Sequence, residues 1–396
     1  MKRVLMLLGI FCLSLLNVTA AAQNASQPTT GHFVWQEIRP GIWFGISPPG
    51  TFIGGNSIIV ALPGHRTFVV DPHITGFTAR EIIAKANEVG GPVKYLVNTH
   101  FHNDHSQGNY AFKEANPSVQ IIAHKFTCWA ERAKAMPRSK FRLGELPSEL
   151  EVMKKNAAEV QDPAIKAALQ RLIDENERYV EDAKTMQWVF PTQCIDPKIG
   201  EGLTLHEGGE TIQILYFGRG HTAGDMVVYL PKERILASGD LFMGTSFDFG
   251  RDGSGLEYGS ALRGIAKLDF ETVLPGHGNV IKGKESLLAT ADKADQLVAK
   301  VRAAYDKGEY VEQVIADLVP APSQTSSGNA LAKYVPYLNR PNPFGAQAGT
   351  YRGIIRLYEE IEHENQHPAA APRTAMAGRS HSGDKSKVTA AKSFGQ

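Results

Sequence analysis

Short apolar runs bounded by turn residues recur along residues 33–123 of the chain. Runs of this kind, ending at glycine, proline or asparagine, are typical of strands that lie buried in a sheet. Residues 77–89 differ, because their apolar positions have helical spacing and stop at Gly90 and Gly91, which predicts a helix. The predicted strands cover residues 33–46 as a hairpin, then 56–60, 67–71, 93–97 and 119–123. Hairpins followed by strand–helix–strand units indicate an α/β fold with both sheet faces covered.

Residues 125–188 change character, with long helical periodicity and little strand signal. Asp162 followed by Pro163 predicts a helix start, since aspartate caps free N–H groups and proline suits the first turn. Ser148 and Glu151 have the spacing of a capping box and predict another helix start. We interpret this block as a helical insertion whose default role is packing, with a lid or a dimer face as alternatives.

Strands resume after residue 200 and give way to helices towards the end of the chain. The predicted strands are 202–205, 211–215, 226–230 and 235–237, and the predicted helices are 284–305 and 350–362. From residue 367 the chain is rich in Ala, Pro, Ser and Lys, which predicts disorder. We therefore expect one domain over residues 23–366, with C-terminal helices within 284–362, and a disordered tail at 367–396.

The first residues have the pattern of a secretory signal peptide. Lys2 and Arg3 precede an apolar run over residues 4–18, and small residues follow at 19–22. We expect residues 1–22 to be removed on export, which predicts a periplasmic or secreted protein. The apolar run is short for a membrane span, so no membrane anchor is expected.

The net charge bears on the class of binding partner, and the cysteine content bears on disulfide formation. The 396 residues include 42 Lys and Arg against 41 Asp and Glu, a net charge of +1. Such a balance gives no basic field for nucleic acid, and a small-molecule substrate is the expected partner. Of three cysteines, Cys128 and Cys194 remain after export. An oxidising compartment favours a disulfide between them, with two buried thiols as the alternative. The oligomeric state is left open.

Potential metal ligands are concentrated just after the predicted strand at 93–97. His100, His102, Asp104 and His105 lie within six residues, where the chain turns from apolar to polar. Imidazole and carboxylate ligands in this mixture suit zinc, with iron or manganese as alternatives. Four residues cannot complete two metal sites, so further ligands are expected after other strands.

Three more candidates follow later strands. His221, Asp240 and His277 each lie next to glycine, which lets the backbone bend sharply and turn the side chain inward. Any one of them alone is as often structural as functional. Taken in this order with the first cluster, they predict a binuclear metal site.

The complete set resembles the ligands of the metallo-β-lactamase superfamily, over residues 35–286 without the insertion. The set consists of His100, His102, Asp104, His105, His221, Asp240 and His277. The resemblance implies an αββα four-layer sandwich with two zinc ions at the edge between the sheets. By this likeness His100, His102 and His221 hold one ion, and Asp104, His105 and His277 hold the other. Asp240 bridges the two.

The resemblance also implies a mechanism and substrate contacts. A hydroxide bridging the two ions attacks the substrate, and Asp104 orients that hydroxide and relays its proton. Asp71 resembles the structural aspartate that the family keeps beside the site. Residues 47–55 correspond to the loop that leans over the substrate, so Phe52 and Ile53 are candidate substrate contacts. Met243, three residues after Asp240, is a third.

Departures from known branches bear on the substrate. Asp240 stands where several β-lactamases have Cys or Ser, and Met243 replaces the Lys or Tyr of some β-lactamases and lactonases. We therefore expect an exported binuclear zinc hydrolase that cleaves an ester, lactone, thioester or amide. The alternatives are a mononuclear-iron oxidoreductase of this fold, similar to the persulfide dioxygenases, a true β-lactamase, or a binding protein without turnover.

Overall fold

A computed structural model describes residues 31–47, 54–244, 249, 252–318, 331, 334–335 and 348–366 of the chain. The predicted signal peptide, Phe52, Ile53 and the predicted tail lie outside the described residues. No helix among the described residues is long and apolar enough to cross a membrane.

The first sheet has seven strands in the order in which they follow along the chain. They are β1 (Val34–Arg39), β2 (Ile42–Ile46), β3 (Ser57–Leu62), β4 (Arg66–Val70), β5 (Val93–Val97), β6 (Gln120–His124) and β7 (Gln193–Ile195). The pairings from β1 to β4 are antiparallel, and those from β4 to β7 are parallel. The sequence predicted every strand here except β7.

The second sheet has six strands in the order β13-β12-β11-β10-β9-β8. They are β8 (Gly202–Glu207), β9 (Glu210–Tyr216), β10 (Met226–Leu230), β11 (Ile235–Gly239), β12 (Thr272–Pro275) and β13 (Ile281–Lys282). Only β11 and β12 pair in parallel. Every residue of β10, β11 and β12 is buried, because both faces of this sheet are covered.

The core alternates along each strand between two apolar layers. Val228 of β10 packs with Phe44 of β2 in the layer between the sheets. Its neighbour Val227 points the other way and packs on the outer helices with Leu262. On the far side of the first sheet, Ile59 packs against Ile82 of the first helix. Helix, sheet, sheet and helix form four layers, which confirms the predicted αββα sandwich.

Ten α-helices lie within the described residues. They are α1 (Gly76–Val89), α2 (Asn103–Ser106), α3 (Asn109–Ala115), α4 (Lys125–Ala130), α5 (Met136–Glu159), α6 (Pro163–Ala183), α7 (Gly255–Ala266), α8 (Glu285–Asp306), α9 (Val311–Leu318) and α10 (Ala348–Gln366). The expected C-terminal helices are α8 and α10, with α9 between them. The helical spacing of residues 284–305 predicts that Leu288 faces inward, but Leu288 is exposed and Leu287 is buried instead.

The insertion consists of α4, a π-helical turn at Glu131–Ala135, α5 and α6. Asp162 caps α6, with Oδ1 accepting from the N–H groups of Ala164 and Ile165, as predicted. The helix start predicted from the capping box at Ser148 and Glu151 was wrong. Ser148 lies inside α5, which continues through Pro147, and its hydroxyl donates to the Glu145 carbonyl within the same helix.

Cys128 and Cys194 form a disulfide, with their Cα atoms 6.2 Å apart. Cys128 lies in α4 and Cys194 in β7, which pairs with β6 opposite Ala123. The bridge therefore joins the two ends of the insertion, and the alternative of two buried thiols is excluded.

Replacing Cys128 and Cys194 together by alanine should lower the free energy of unfolding by about 2–4 kcal/mol. The cysteines are 66 residues apart, so the bridge restricts a long loop in the unfolded chain. Urea denaturation of both forms measures the difference. The urea midpoint of wild-type protein treated with a reductant should fall by a similar amount. An unchanged midpoint would contradict the stabilising role assigned to the disulfide.

Glu131, the first residue of the π-helical turn, is fully buried. Neither carboxyl oxygen makes a well-formed hydrogen bond within the described residues, and neither does the indole N–H of nearby Trp188. Burial raises the pKa of Glu131 well above its ordinary value, although Trp188 and Arg132 oppose this. The folded protein therefore binds a proton here that the unfolded chain releases near pH 4.5.

Glu131→Gln should stabilise the protein at pH 8, because glutamine carries no carboxyl proton that must be released or held there. A raised folded-state pKa means that wild-type stability falls as the pH rises above 4.5, and glutamine removes that loss. Urea denaturation at pH 4.5 and pH 8 should give a gain at the higher pH only. Glu151→Gln, at an exposed position of α5, is the matched control and should show no pH-dependent gain.

Candidate metal centre

The seven candidate ligands meet at one edge of the sandwich. His100, His102, Asp104 and His105 follow the end of β5, and Asp104 and His105 lie in the short helix α2. His221 lies between β9 and β10, Asp240 directly follows β11, and His277 follows β12. The carboxyl ends of β5, β11 and β12 bring these loops together, so the structure unites all seven predicted residues in two adjacent groups.

The first group contains His100, His102, His221 and Asp240, whose ligand atoms lie within 4.8 Å of one another. His102 Nδ1 and His221 Nε2 are 3.0 Å apart. Asp240 Oδ2 is 3.8 Å from His100 Nε2 and 3.6 Å from His221 Nε2. Three imidazole nitrogens and one carboxylate oxygen thus face a common point.

The second group contains Asp104, His105 and His277, also within 4.8 Å. His105 Nε2 and His277 Nε2 are 3.2 Å apart, and Asp104 Oδ2 is 3.4 and 3.2 Å from them. Asp240 reaches this group as well, with Oδ1 3.4 Å from His105 Nε2 and Oδ2 3.3 Å from His277 Nε2. Asp240 therefore lies between the two groups.

The spacing and the unpaired atoms fit a pair of metal ions. Ligands bound tetrahedrally at 2.0–2.1 Å lie about 3.3 Å from one another, which is the spacing of these atoms. Within the described residues, His100 Nε2 and Asp240 Oδ1 are buried without a hydrogen-bond partner. Such atoms cost free energy unless another group binds them, and a cation between the groups would.

The outer nitrogens of the histidines are fixed by polar partners. Asp71 Oδ2 accepts from His105 Nδ1 at 2.8 Å and from the Thr99 hydroxyl, and Oδ1 accepts from the Thr99 N–H. The Gly54 carbonyl accepts from His277 Nδ1 at 2.7 Å. Such bonds choose the tautomer that turns the other nitrogen towards a metal. The role inferred for Asp71 from the family resemblance agrees with these contacts.

His102 is oriented from the other side. Its Nε2 lies 3.2 Å from Asp252 Oδ2, which leaves Nδ1 towards the first group. The backbone of Asp252 also pairs with Thr222, the neighbour of His221. Sequence analysis missed Asp252, because nothing in its local sequence indicates that it contacts His102.

Glycine is required at positions 276 and 239, because neighbouring atoms lie too close to the backbone there for a side chain to fit. A Cβ atom on Gly276 would lie 2.1 Å from Asp240 Oδ1. Gly239 has φ +51, and a Cβ there would meet Thr99 at 2.7 Å. Larger residues would displace the Asp240 carboxylate or the loop after β5, which explains the glycines that flank the ligands.

The charge states of these side chains suit cation binding. Burial alone would raise the pKa of Asp104 and Asp240, but His105 and His277 hold both pKa values well below the usual range. Burial lowers the pKa of His100, so this imidazole is neutral. Burial would likewise lower the pKa of His277, but Asp240 and Asp104 raise it to about 10. Ligands in these forms bind a cation and release protons from the charged imidazoles.

A cavity of about 430 Å³ opens over the two groups. Met243, a candidate substrate contact, lines it together with five of the ligands and Asn103. Arg138 and Arg142 of α5 also line it, so the insertion contributes to the wall. The sequence analysis missed both arginines, although their spacing of four residues places them on one face of a helix.

Other residues near the ligand loops have structural roles. Arg219, two residues before His221, donates hydrogen bonds to Glu257 from its backbone N–H and its guanidinium. Phe249 is buried in the core. His73 is buried, and its Nδ1 bonds to Thr78.

Comparison with known proteins agrees with this geometry. The sequence model of the family described as Metallo-beta-lactamase superfamily matches residues 50–277, more than half of the chain. The chain therefore belongs to the metallo-β-lactamase superfamily, and its buried His and Asp groups form a site of the kind used by metal-dependent hydrolases.

Solved structures of bacterial metallo-β-lactamases are similar to part of the chain. The enzyme from Erythrobacter litoralis, solved with β-mercaptoethanol in its active site, has 18% identity and a TM-score of 0.46, over 66% of this chain and 97% of its own. The enzyme from Pontibacter korlensis has 18% sequence identity and a TM-score of 0.45, over 66% of this chain and 99% of its own. The enzyme from Hirschia baltica has 20% sequence identity and a TM-score of 0.45, over 67% of this chain and 98% of its own.

Asp71→Asn should weaken zinc binding about 10–100-fold and lower the free energy of unfolding by about 1–3 kcal/mol. Asparagine tolerates the backbone at φ +58, but its amide cannot accept from all three donors on Thr99 and His105. Zinc titration of metal-free protein and urea denaturation measure the two effects.

Asp182→Asn is the matched control for this prediction. Asp182 accepts hydrogen bonds from Gly76 N at 2.6 Å and Arg80 Nη1 at 2.8 Å, away from the ligands. That variant should lose stability and keep its zinc affinity. Equal zinc affinity in the Asp71 variant and wild type would refute the orienting role.

Proposed function

We propose that this protein is an exported binuclear zinc hydrolase that cleaves an ester, lactone, thioester or amide bond of a small molecule. The observation that carries the proposal is the position of Asp240, whose two oxygens lie within 3.8 Å of nitrogens in both ligand groups. A carboxylate so placed suits a bridge between two ions.

The ligand roles follow the two groups. His100, His102 and His221 would hold one ion, and Asp104, His105 and His277 the other, with Asp240 shared. The donors are nitrogen and oxygen only, which suits zinc and leaves iron or manganese as chemically reasonable alternatives. When bound, a pair of divalent ions supplies hydroxide at neutral pH and a Lewis acid for the scissile carbonyl.

The residues of the chain supply the remaining functions. Asp104 is about one-quarter exposed and lies at the base of the cavity, where its carboxylate can accept a proton from the attacking water. Met243 and Asn103 line the space beside it and would contact the substrate. Phe52 and Ile53 remain candidate contacts from the sequence.

Export is supported by two separate features. The predicted signal peptide at residues 1–22 would direct the chain out of the cytoplasm. The Cys128–Cys194 disulfide is of a kind that persists in oxidising compartments. Together they favour a periplasmic or secreted enzyme.

Purified protein should contain about two zinc ions per chain and hydrolyse at least one member of a panel of esters, lactones, thioesters and β-lactams. Asp240→Ala should lose one ion and reduce kcat at least about 100-fold, because the shared ligand is gone while the fold remains. Metal analysis, circular dichroism and steady-state kinetics measure these effects.

Asp292→Ala, an exposed carboxylate on α8, is the control and should match wild type. An Asp240→Ala protein that keeps two ions and full activity would exclude the bridging role. One iron per chain with no hydrolysis would instead favour the oxidoreductase alternative.

A further inference from the structure

A row of cations on the insertion faces the metal centre. Lys134 lies in the π-helical turn, and Arg138 and Arg142 follow at intervals of four residues in α5. The interval places all three on one side of the helical segment. Arg138 and Arg142 line the cavity above the ligands, which gives this wall a positive character.

Asp252 neutralises only part of this charge. Its carboxylate accepts from Lys134 Nζ at 2.6 Å and from Arg138 Nη1 and Nη2 at 3.0 and 3.2 Å. Arg142 is paired separately with Glu149. One carboxylate therefore faces two cations, and a surplus positive charge remains at Lys134 and Arg138.

The cationic side chains are more exposed than the carboxylate that they bind. The Asp252 side chain is only 1% exposed, whereas the side chains of Arg138 and Lys134 are 37% and 32% exposed. The anion is thus covered, and Arg138, which lines the cavity, is accessible from it. A guanidinium has five N–H groups, and within the described residues Arg138 uses only two of them in hydrogen bonds.

The distance to the metal centre is short. Asp252 Oδ2 contacts both Arg138 Nη1, at 3.0 Å, and His102 Nε2, at 3.2 Å. The other nitrogen of His102 belongs to the first ligand group. A small substrate held at the ligands could therefore reach the Arg138 guanidinium with a group a few bonds away from its reacting carbonyl.

We propose that Arg138, supported by Arg142, binds an oxyanion on the substrate, so that the natural substrates are acyl compounds carrying a carboxylate or a similar anionic group. This inference rests on the proposed hydrolase function and names its substrate class. The planar fork of a guanidinium suits paired hydrogen bonds to carboxylate, sulfonate or phosphonate oxygens.

The competing explanation is that Arg138 and Lys134 only neutralise Asp252, which in turn holds His102. The two explanations differ in what the loss of Arg138 changes. A neutralising role predicts weaker zinc binding with no dependence on the ligand's charge. A substrate-binding role predicts intact zinc binding and a loss confined to anionic ligands.

The test is calorimetric binding of glutarate and of its half-amide, glutaramate, to zinc-loaded protein. One carboxylate of either compound can bind at the ligands, and only glutarate offers a second anion to the arginines. Wild type should bind glutarate about tenfold or more tightly than glutaramate. Arg138→Gln should reduce this preference to within about twofold, and Arg142→Gln should reduce it partly, with zinc content unchanged in both.

Arg171→Gln is the matched control, since this exposed arginine of α6 also pairs with a carboxylate, Glu175, outside the cavity. It should keep the wild-type preference. Sulfonate and phosphonate analogues of glutarate, 4-sulfobutanoate and 4-phosphonobutanoate, then show which oxyanion is preferred.

Three results would overturn the proposal. Wild type could bind both compounds equally, the preference could persist in Arg138→Gln, or that variant could lose zinc. None of these measurements requires turnover, so a silent hydrolysis panel would contradict the proposed function without affecting this test.

Discussion

Burial of carboxylates beside imidazoles at one sheet edge is the constraint on which this structure depends. Asp104 and Asp240 lie among five histidines, and their negative charges are stable there only because positive partners surround them. A pair of cations would satisfy the same requirement with atoms that otherwise lack partners. The supporting contacts of Asp71 and the bare backbone at Gly276 keep the ligand atoms at that spacing.

The insertion is tied to this centre in two ways. Its ends are joined by the disulfide between Cys128 and Cys194, and its middle reaches Asp252 through Lys134 and Arg138. Asp252 contacts His102 in turn, so the helical segment and the metal ligands share a charged network. The insertion therefore shapes the cavity wall, which a packing role alone would not require.

Local patterns predicted most elements, and the failures have physical causes. The capping box at Ser148 is a correct local signal that tertiary packing overrides, because Leu146, Leu150 and Met153 of α5 are all buried in one apolar cluster. The inward face assigned to α8 was shifted by one position at Leu288, since small residues at Ala291 and Ala294 also pack in the core. β7 is too short to give a periodic signal.

The sequence by itself determined an α/β fold and the set of candidate ligands, because buried apolar runs and polar residues at strand ends are local properties of the chain, and the αββα class followed from the family resemblance of those ligands. It also identified the two cysteines that could pair. Only the tertiary structure decided which side chains complete the site. Asp252, Arg138 and Arg142 reach it from segments far apart in sequence, and such contacts depend on how the insertion packs over the sheet edge.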